Sequence, residues 1–259
     1  LVTKLGKVDI KIFLFLHSTI GPQEIENKSI SDYKELLLKS TNIFVHSVND
    51  LNHLKYFGIN DNVSIFPHGI IDSDFLFHEN YLDQKFVFKD EWIISSYGFC
   101  LPNKGFLELI QAIYLLRKKG INVNLELYTA IYNKDYEHFV EQLEEEICSL
   151  NLNNYVILDT SYSTELDSLN NLSKSDLLIF PYQKSNESSS AAVRHGISSG
   201  KPTIVTPLKI FDDILKCVDL LPGFDKDSIA KGILDHFMLR ENDINDYNKV
   251  HQDRIKYAQ

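Results

Sequence analysis

Residues 180–205 read Phe-Pro-Tyr-Gln-Lys-Ser-Asn-Glu-Ser-Ser-Ser-Ala-Ala-Val-Arg-His-Gly-Ile-Ser-Ser-Gly-Lys-Pro-Thr-Ile-Val. An apolar strand, Asp176 to Phe180, runs into a polar, serine-rich turn that is expected to open a helix at about Ser188. That helix closes on Ser199-Gly200, and Lys201-Pro202 leads into a second apolar strand, Thr203 to Val205. A turn feeding a helix N-terminus at the carboxyl end of a parallel strand offers unpaired N–H groups and the positive end of the helix dipole, which together hold an anion. Glu187 stands at the mouth of this turn, where a carboxylate accepts hydrogen bonds from ligand hydroxyls. The combination suits a phosphorylated, hydroxyl-rich ligand such as a nucleotide sugar.

A second stretch has related chemistry. Residues 93–106, Ile-Ile-Ser-Ser-Tyr-Gly-Phe-Cys-Leu-Pro-Asn-Lys-Gly-Phe, carry a strand to Gly98, a short loop, and Lys104-Gly105 at the start of the next helix. A lysine there can swing its ammonium over a phosphate bound at the strand ends. Taken alone, the stretch suits a solvated first-turn lysine slightly better; with the 180–205 segment in the same sheet, the phosphate role is preferred.

The elements that must position these residues alternate. Strand-like runs are Lys11–Leu16, Ile43–His46, Val63–Phe66, Trp92–Tyr97, Asn122–Tyr128, Tyr155–Leu158, Leu177–Phe180, Thr203–Val205 and Val218–Leu221. Helical patterns fall between them, at about 31–39, 48–57, 104–119, 134–150, 163–173, 188–199, 210–215, 226–239 and 244–258. Most strand runs are continuous and apolar, so both faces are covered, which means a parallel sheet between helices. The fold class is α/β: a Rossmann-type parallel sheet with helices on both faces, plus part of a second Rossmann-like domain. Ser47 is placed to cap the 48–57 helix, and Asn103 to cap 104–119, whose Phe106, Leu109, Ile110, Ile113 and Leu116 share one face. Residues 1–71 make a partial first domain, 72–90 a linker without either period, 91–240 a fuller second domain, and 241–259 the start of a carboxyl-terminal helix.

Composition excludes several classes. With 26 basic against 36 acidic residues and a net charge of −10, no basic surface for nucleic acid is expected. No apolar run reaches the length of a membrane span. Cys100, Cys148 and Cys217 lie far apart in apolar runs without a CxxC, the pattern of reduced, buried thiols in a cytoplasmic protein. The chain begins at Leu1 and enters almost directly into a core strand, and it ends within a helical pattern, so it reads as a fragment, or the ordered part, of a longer protein.

The order of these motifs resembles family four of the retaining glycosyltransferases, GT-B enzymes that use a nucleotide-diphosphate sugar. The resemblance covers most of residues 40–240. It rests on Gly98-x5-Lys104-Gly105, on Asp176-Leu-Leu-Ile-Phe-Pro181, and on Pro181…Glu187…Gly200-x-Pro202. Phe66-Pro67-His68-Gly69-Ile70 looks like the interdomain segment usually read Pro-Asn-Gly-Val-Asp. The resemblance implies that Lys104 neutralises the donor diphosphate, that Glu187 holds donor-sugar hydroxyls, and that Ser188, Ser189 and Ser190 offer amides to the β-phosphate. His17, at the end of the first strand, resembles the amino-domain histidine that approaches the donor sugar. The second acid of the family's Glu-x7-Glu motif falls on His195, whose imidazole can still bond one ribose hydroxyl. The arginine that usually follows the glycine equivalent to Gly98 is Phe99 here, and Arg194 is a candidate for the missing charge. Transfer independent of metal or cofactor is implied, with lysine and helix amides in place of a divalent ion. The implied partners are the nucleotide-sugar donor and a glycan or lipid-linked saccharide acceptor. Peripheral membrane association of the full-length protein, at the inner face of the membrane, is compatible with that acceptor class.

Other candidates have structural explanations. His46 and His53 are too far apart to chelate a metal from one helix and lack a third ligand, while His68 suits a backbone turn. Asp72-Ser73-Asp74 and Asp225-Lys226-Asp227 have Asp-x-Asp spacing but sit where caps and turns are expected. Glu144–Glu146 suit a solvated helix face. The competing functional reading is a GT-B-like binding or assembly subunit that has lost catalysis, with Phe99 and His195 as its evidence. A sugar-nucleotide epimerase would need further acids and histidines, and no convincing set appears.

Overall fold

The computed structural model describes residues 10–20, 29–71, 90–242 and 244–258. The linker stretch 72–89, with Asp72-Ser73-Asp74, lies outside the described residues. By their contacts the rest form two units, one running to Gly69 together with Ser185–Ser190, the other comprising Ile70–Lys184 and the chain from Ala191.

The first unit is built on a parallel three-stranded sheet of β1 (Phe13–Leu16), β2 (Asn42–Val45) and β3 (Val63–Ile65), in that order. β1 begins two residues later than its apolar run, because Ile12 is held through Thr41: its N–H donates to Thr41 Oγ1 at 2.9 Å and its carbonyl accepts from the Thr41 amide at 2.7 Å. The short helix α1 (Lys34–Leu37) and α2 (Val48–Tyr56) pack Leu37 and Leu54 onto Ile43, Val45 and Ile59. Ser47 caps α2 as expected, its hydroxyl accepting from the Asp50 amide at 3.1 Å.

The second unit is a six-stranded, all-parallel sheet in the order β6-β5-β4-β7-β8-β9. Its strands are β4 (Trp92–Phe99), β5 (Val123–Ala130), β6 (Val156–Asp159), β7 (Leu177–Phe180), β8 (Thr203–Val205) and β9 (Asp219–Leu220). Its helices are α3 (Phe106–Lys118), α4 (Glu137–Ser149), α5 (Glu165–Leu172), α6 (Ala191–Ser198), α7 (Lys226–Asn242) and α8 (Ile244–Ala258). Numbered within the unit, the strand order is 3-2-1-4-5-6, the Rossmann arrangement, whose order reverses between β4 and β7. The apolar run of β7 divides by the two-residue period of a strand. Leu177 and Ile179 enter one core with Phe106, Ile110 and Ile233, while Leu178 and Phe180 enter the other with Val193, Ile197 and Phe211. Burying each such side chain stabilises by about 1.5–3 kcal/mol, which is why the continuous run predicts a strand covered on both faces.

Three local expectations are corrected. The third helix starts at Phe106 rather than Lys104, since Pro102–Lys104 forms a 3₁₀ turn and Gly105 takes up a left-handed conformation (φ 76°). Asn103 therefore does not cap it, and its side-chain amide donates instead to the Lys184 carbonyl at 3.1 Å. The helix expected at Ser188 begins at Ala191, after a serine stretch that bonds elsewhere. Cys148 is exposed near the end of α4, whereas Cys100 and Cys217 are buried as expected. Asp225 does serve as a cap for α7, accepting from the amides of Asp227 and Ser228 at 3.0 Å each.

Candidate functional site

In open α/β sheets the ligand crevice lies outside the carboxyl ends of the strands where the order reverses. Here that point is between β4 and β7, which pair Ile94 with Leu177 and Ser95 with Leu178. The loops leaving these two strands are stitched together by backbone and amide groups. The Gln183 amide donates to the Asn103 carbonyl at 2.9 Å, while Asn103 reaches Lys184. The Gln183 side chain donates to the carbonyls of Pro181 and Phe224, at 2.9 and 3.0 Å. Thr206 Oγ1 donates to the Tyr182 carbonyl at 2.7 Å.

This stitching requires Gly105. A Cβ built there would lie 1.9 Å from the Pro181 carbonyl oxygen, so no other residue permits the approach. Lys104, one residue earlier, is consequently buried at 7% exposure, with its Nζ 3.9 Å above the Tyr182 ring centroid. It is not the solvated lysine of the simpler reading: an aromatic face replaces part of the ammonium's lost hydration. Gly98 (φ 137°) faces the first turn of α6, where an added Cβ would meet Ala192 Cβ at 3.4 Å. Phe99, in the place of the family's arginine, is exposed and packs edge-on to Tyr132 at 5.1 Å.

On α6 two candidates separate. Arg194 is 3% exposed and forms an ion pair with Asp213. Burial pulls its pKa down, while the charge and hydrogen bond of Asp213 oppose the shift. Its charge is thus paired with Asp213 within the fold. His195 is mostly buried, with Nδ1 donating to the Ala191 carbonyl at 3.0 Å and its ring 5.4 Å from Tyr97. Its Nε2 lies 3.9 Å from Glu165.

The remaining candidates belong to the first unit. The Ser188 amide donates to the His17 carbonyl at 3.1 Å, and Ser18 Oγ donates to the Asn186 carbonyl at 2.6 Å. The Ser188 N–H is therefore engaged rather than presented to a ligand. His17 is exposed, with Nδ1 3.2 Å from His46 Nε2, and the His17, His46 and His68 rings cluster at centroid distances of 4.9–6.3 Å. Beside them Asp50 accepts from the Thr19 hydroxyl at 2.7 Å, from the Thr19 amide at 3.2 Å, and from Ser47. Burial alone would raise the Asp50 carboxyl, but hydrogen bonds from Ser47, Thr19 and Ser188 outweigh it and hold the pKa below the usual carboxylate range. His53 Nδ1 lies 3.0 Å from Thr19 Oγ1, so it belongs to this network and not to a metal pair. Among the described residues no cluster of histidines, cysteines or acids has a metal-holding arrangement.

Sequence reasoning missed Tyr182, Asp50 and Asp213. The Ser47-x-x-Asp50 spacing of a capping box was a usable signal for Asp50. Tyr182 and Asp213 gave none, because their roles depend on contacts between distant segments.

No protein-family model matches the chain, and no curated protein matches it. Among solved structures, the chain is similar to the UDP-forming α,α-trehalose-phosphate synthase of Burkholderia vietnamiensis, with a TM-score of 0.76 and 11% identity. That match covers 99% of this chain and 65% of the other, so the chain spans about two thirds of the length of that enzyme. A glycosyltransferase from Rickettsia africae matches with a TM-score of 0.75 and 17% identity, over 99% of this chain and 67% of the other. HepE of Anabaena, solved with UDP and glucose, matches with a TM-score of 0.77 and 13% identity, over 99% and 69%. The fold is GT-B-like: a Rossmann-type parallel sheet with helices on both faces, and part of a second Rossmann-like unit.

Proposed function

We propose that the chain is the larger part of a retaining glycosyltransferase that moves a sugar from a nucleotide-diphosphate sugar to a glycan or lipid-linked acceptor without a divalent ion. The observation that carries this reading is the buried Lys104, held over Tyr182 beside the point where the strand order reverses. A cation fixed there meets the charge that develops on a departing nucleotide diphosphate. Ser189 and Ser190 amides at the approach to α6 assist it, Glu187 accepts from donor-sugar hydroxyls, His17 contacts the donor sugar, and His195 bonds the ribose. In the transfer, the bond from the anomeric carbon to the phosphate oxygen breaks and a bond to the acceptor oxygen forms on the same face. The acceptor's proton passes to the departing phosphate, so no separate base is required. A cytoplasmic setting, where nucleotide sugars are the donors, fits this reading. No helix among the described residues is long and apolar enough to cross a membrane.

A second reading, a non-catalytic GT-B-like binding or assembly subunit, is favoured by one specific observation. Phe99 replaces the family's arginine, and Arg194 is committed to Asp213. Calorimetric titration with UDP-, GDP-, ADP- and dTDP-sugars, with and without magnesium, separates the two. Binding of one nucleotide class without metal, lost in Glu187→Ala and Lys104→Ala, supports the enzyme. Silence across the panel from a folded sample supports the subunit.

A further inference from the structure

We infer that His46 is a positioning residue that fixes the tautomer of neutral His17, holding its proton on Nδ1 and leaving Nε2 as an acceptor. The polarity matters for the donor sugar only if the functional reading above is right, but the relay itself stands on geometry within the first unit. His46 is buried at 6% exposure at the end of β2, and its Nδ1 lies 2.9 Å from the Phe66 carbonyl oxygen. A carbonyl can only accept, so His46 Nδ1 carries a proton. In neutral His46 the other nitrogen, Nε2, is then an acceptor, and it faces His17 Nδ1 at 3.2 Å. His17 Nδ1 must therefore donate, which leaves His17 Nε2 with a bare lone pair. That atom has no hydrogen-bond partner among the described residues. The chain of bonds runs from His17 Nδ1–H to His46 Nε2, and from His46 Nδ1–H to Phe66 O.

In this state a sugar hydroxyl facing His17 meets an acceptor at Nε2, whereas the opposite tautomer would present a donor there. The titratable groups on neighbouring elements are His68, whose ring centroid is 5.2 Å from that of His46, and Asp50 on α2, which accepts from Thr19 two residues beyond His17. His53 bonds the same threonine, and Glu187 precedes the serine whose amide donates to the His17 carbonyl.

The test is the two-bond ¹⁵N–¹H correlation spectrum of the histidine-labelled chain, with the His17 signals assigned by their loss in His17→Gln. At alkaline pH, His17 is expected to carry its proton on Nδ1 alone. His46→Asn keeps an amide where it can donate to Phe66 O but removes the group facing His17, so His17 should change to a mixture dominated by the Nε2–H form. His46→Gln reaches toward His17 with a carbonyl and should restore the Nδ1–H form. A wild-type His17 with its proton on Nε2 at alkaline pH overturns the relay, as does an unchanged tautomer in a folded His46→Asn. If a variant does not fold, the wild-type spectrum alone decides. Titration with the nucleotide-sugar panel is read separately: the expected tautomer with no nucleotide binding sinks the glycosyltransferase reading and leaves the relay standing.

Discussion

The Lys104 ammonium lies 3.9 Å above the centroid of the Tyr182 ring, a residue that is itself only 1% exposed. A cation on a desolvated aromatic face gains about 2 kcal/mol, compared with about 0.5–1 kcal/mol at exposed sites. The contact sets the position of the ammonium against a rigid ring rather than leaving it to a mobile stem.

Tyr182→Leu should therefore weaken nucleotide-sugar binding by about 1–2 kcal/mol, roughly tenfold, in a protein that still unfolds cooperatively. Lys104→Ala should go further and lower turnover on the order of a hundredfold, the usual effect of removing one preorganised donor to developing charge. Steady-state kinetics and calorimetry measure the two. A Lys104→Ala protein with near wild-type turnover would place the phosphate elsewhere.

Gly105→Ala should destabilise the second unit. The left-handed backbone alone costs a non-glycine residue about 1–2 kcal/mol, and the new Cβ would overlap the Pro181 carbonyl at 1.9 Å. The urea midpoint should drop accordingly, and nucleotide binding should fall with it, because the two loops can no longer close on each other. An unchanged midpoint contradicts the packing described.

Arg194 and Asp213 make a pair in which one member is 3% and the other 26% exposed. Breaking such a pair from one side leaves an uncompensated buried charge, so Asp213→Ala should cost about 3–5 kcal/mol. Replacing both partners, as Arg194→Met with Asp213→Ala, should recover much of that loss. Denaturation of the single and double variants forms the cycle. If Arg194→Met instead abolishes nucleotide binding with stability intact, the arginine serves the ligand after all.

Asp50 should make the first unit less stable in acid. Its folded pKa is depressed, so its contribution is complete above the unfolded value of about 3.9 and is lost as pH falls through the lower folded value. Denaturant midpoints measured near pH 5 and near pH 3 should differ more for the wild type than for Asp50→Asn. Equal differences would mean that the Thr19–Ser47 network does not favour the charged form.

Much of the second unit follows from local pattern. The unbroken apolar run Leu177–Phe180 specifies a strand buried on both faces, and the spacing of Phe106, Leu109, Ile110, Ile113 and Leu116 specifies one face of a helix. Both signals come from periodicities that repeat within a few residues. The polar turns were harder, because their hydrogen bonds have several local solutions. Ser188 and Asn103 are good caps by type, yet each is drawn off by a distant partner, the first to His17 and the second to Lys184. The sequence pattern therefore expects these helices two or three residues before they begin, at 104 and 188 rather than at Phe106 and Ala191.

The sequence by itself determined the alternation of strands and helices, the parallel sheet, and the residue types available at the carboxyl ends of its strands. Only the tertiary structure decided which of them face one another. It gave Lys104 an aromatic seat, paired Arg194 with Asp213, and set His46 against His17. The physical reason is range. Propensity, capping and periodicity act over a few residues, whereas burial and charge pairing depend on segments far apart in the chain, such as Lys104 with Tyr182 or Phe106 with Ile233, that only chain folding brings together.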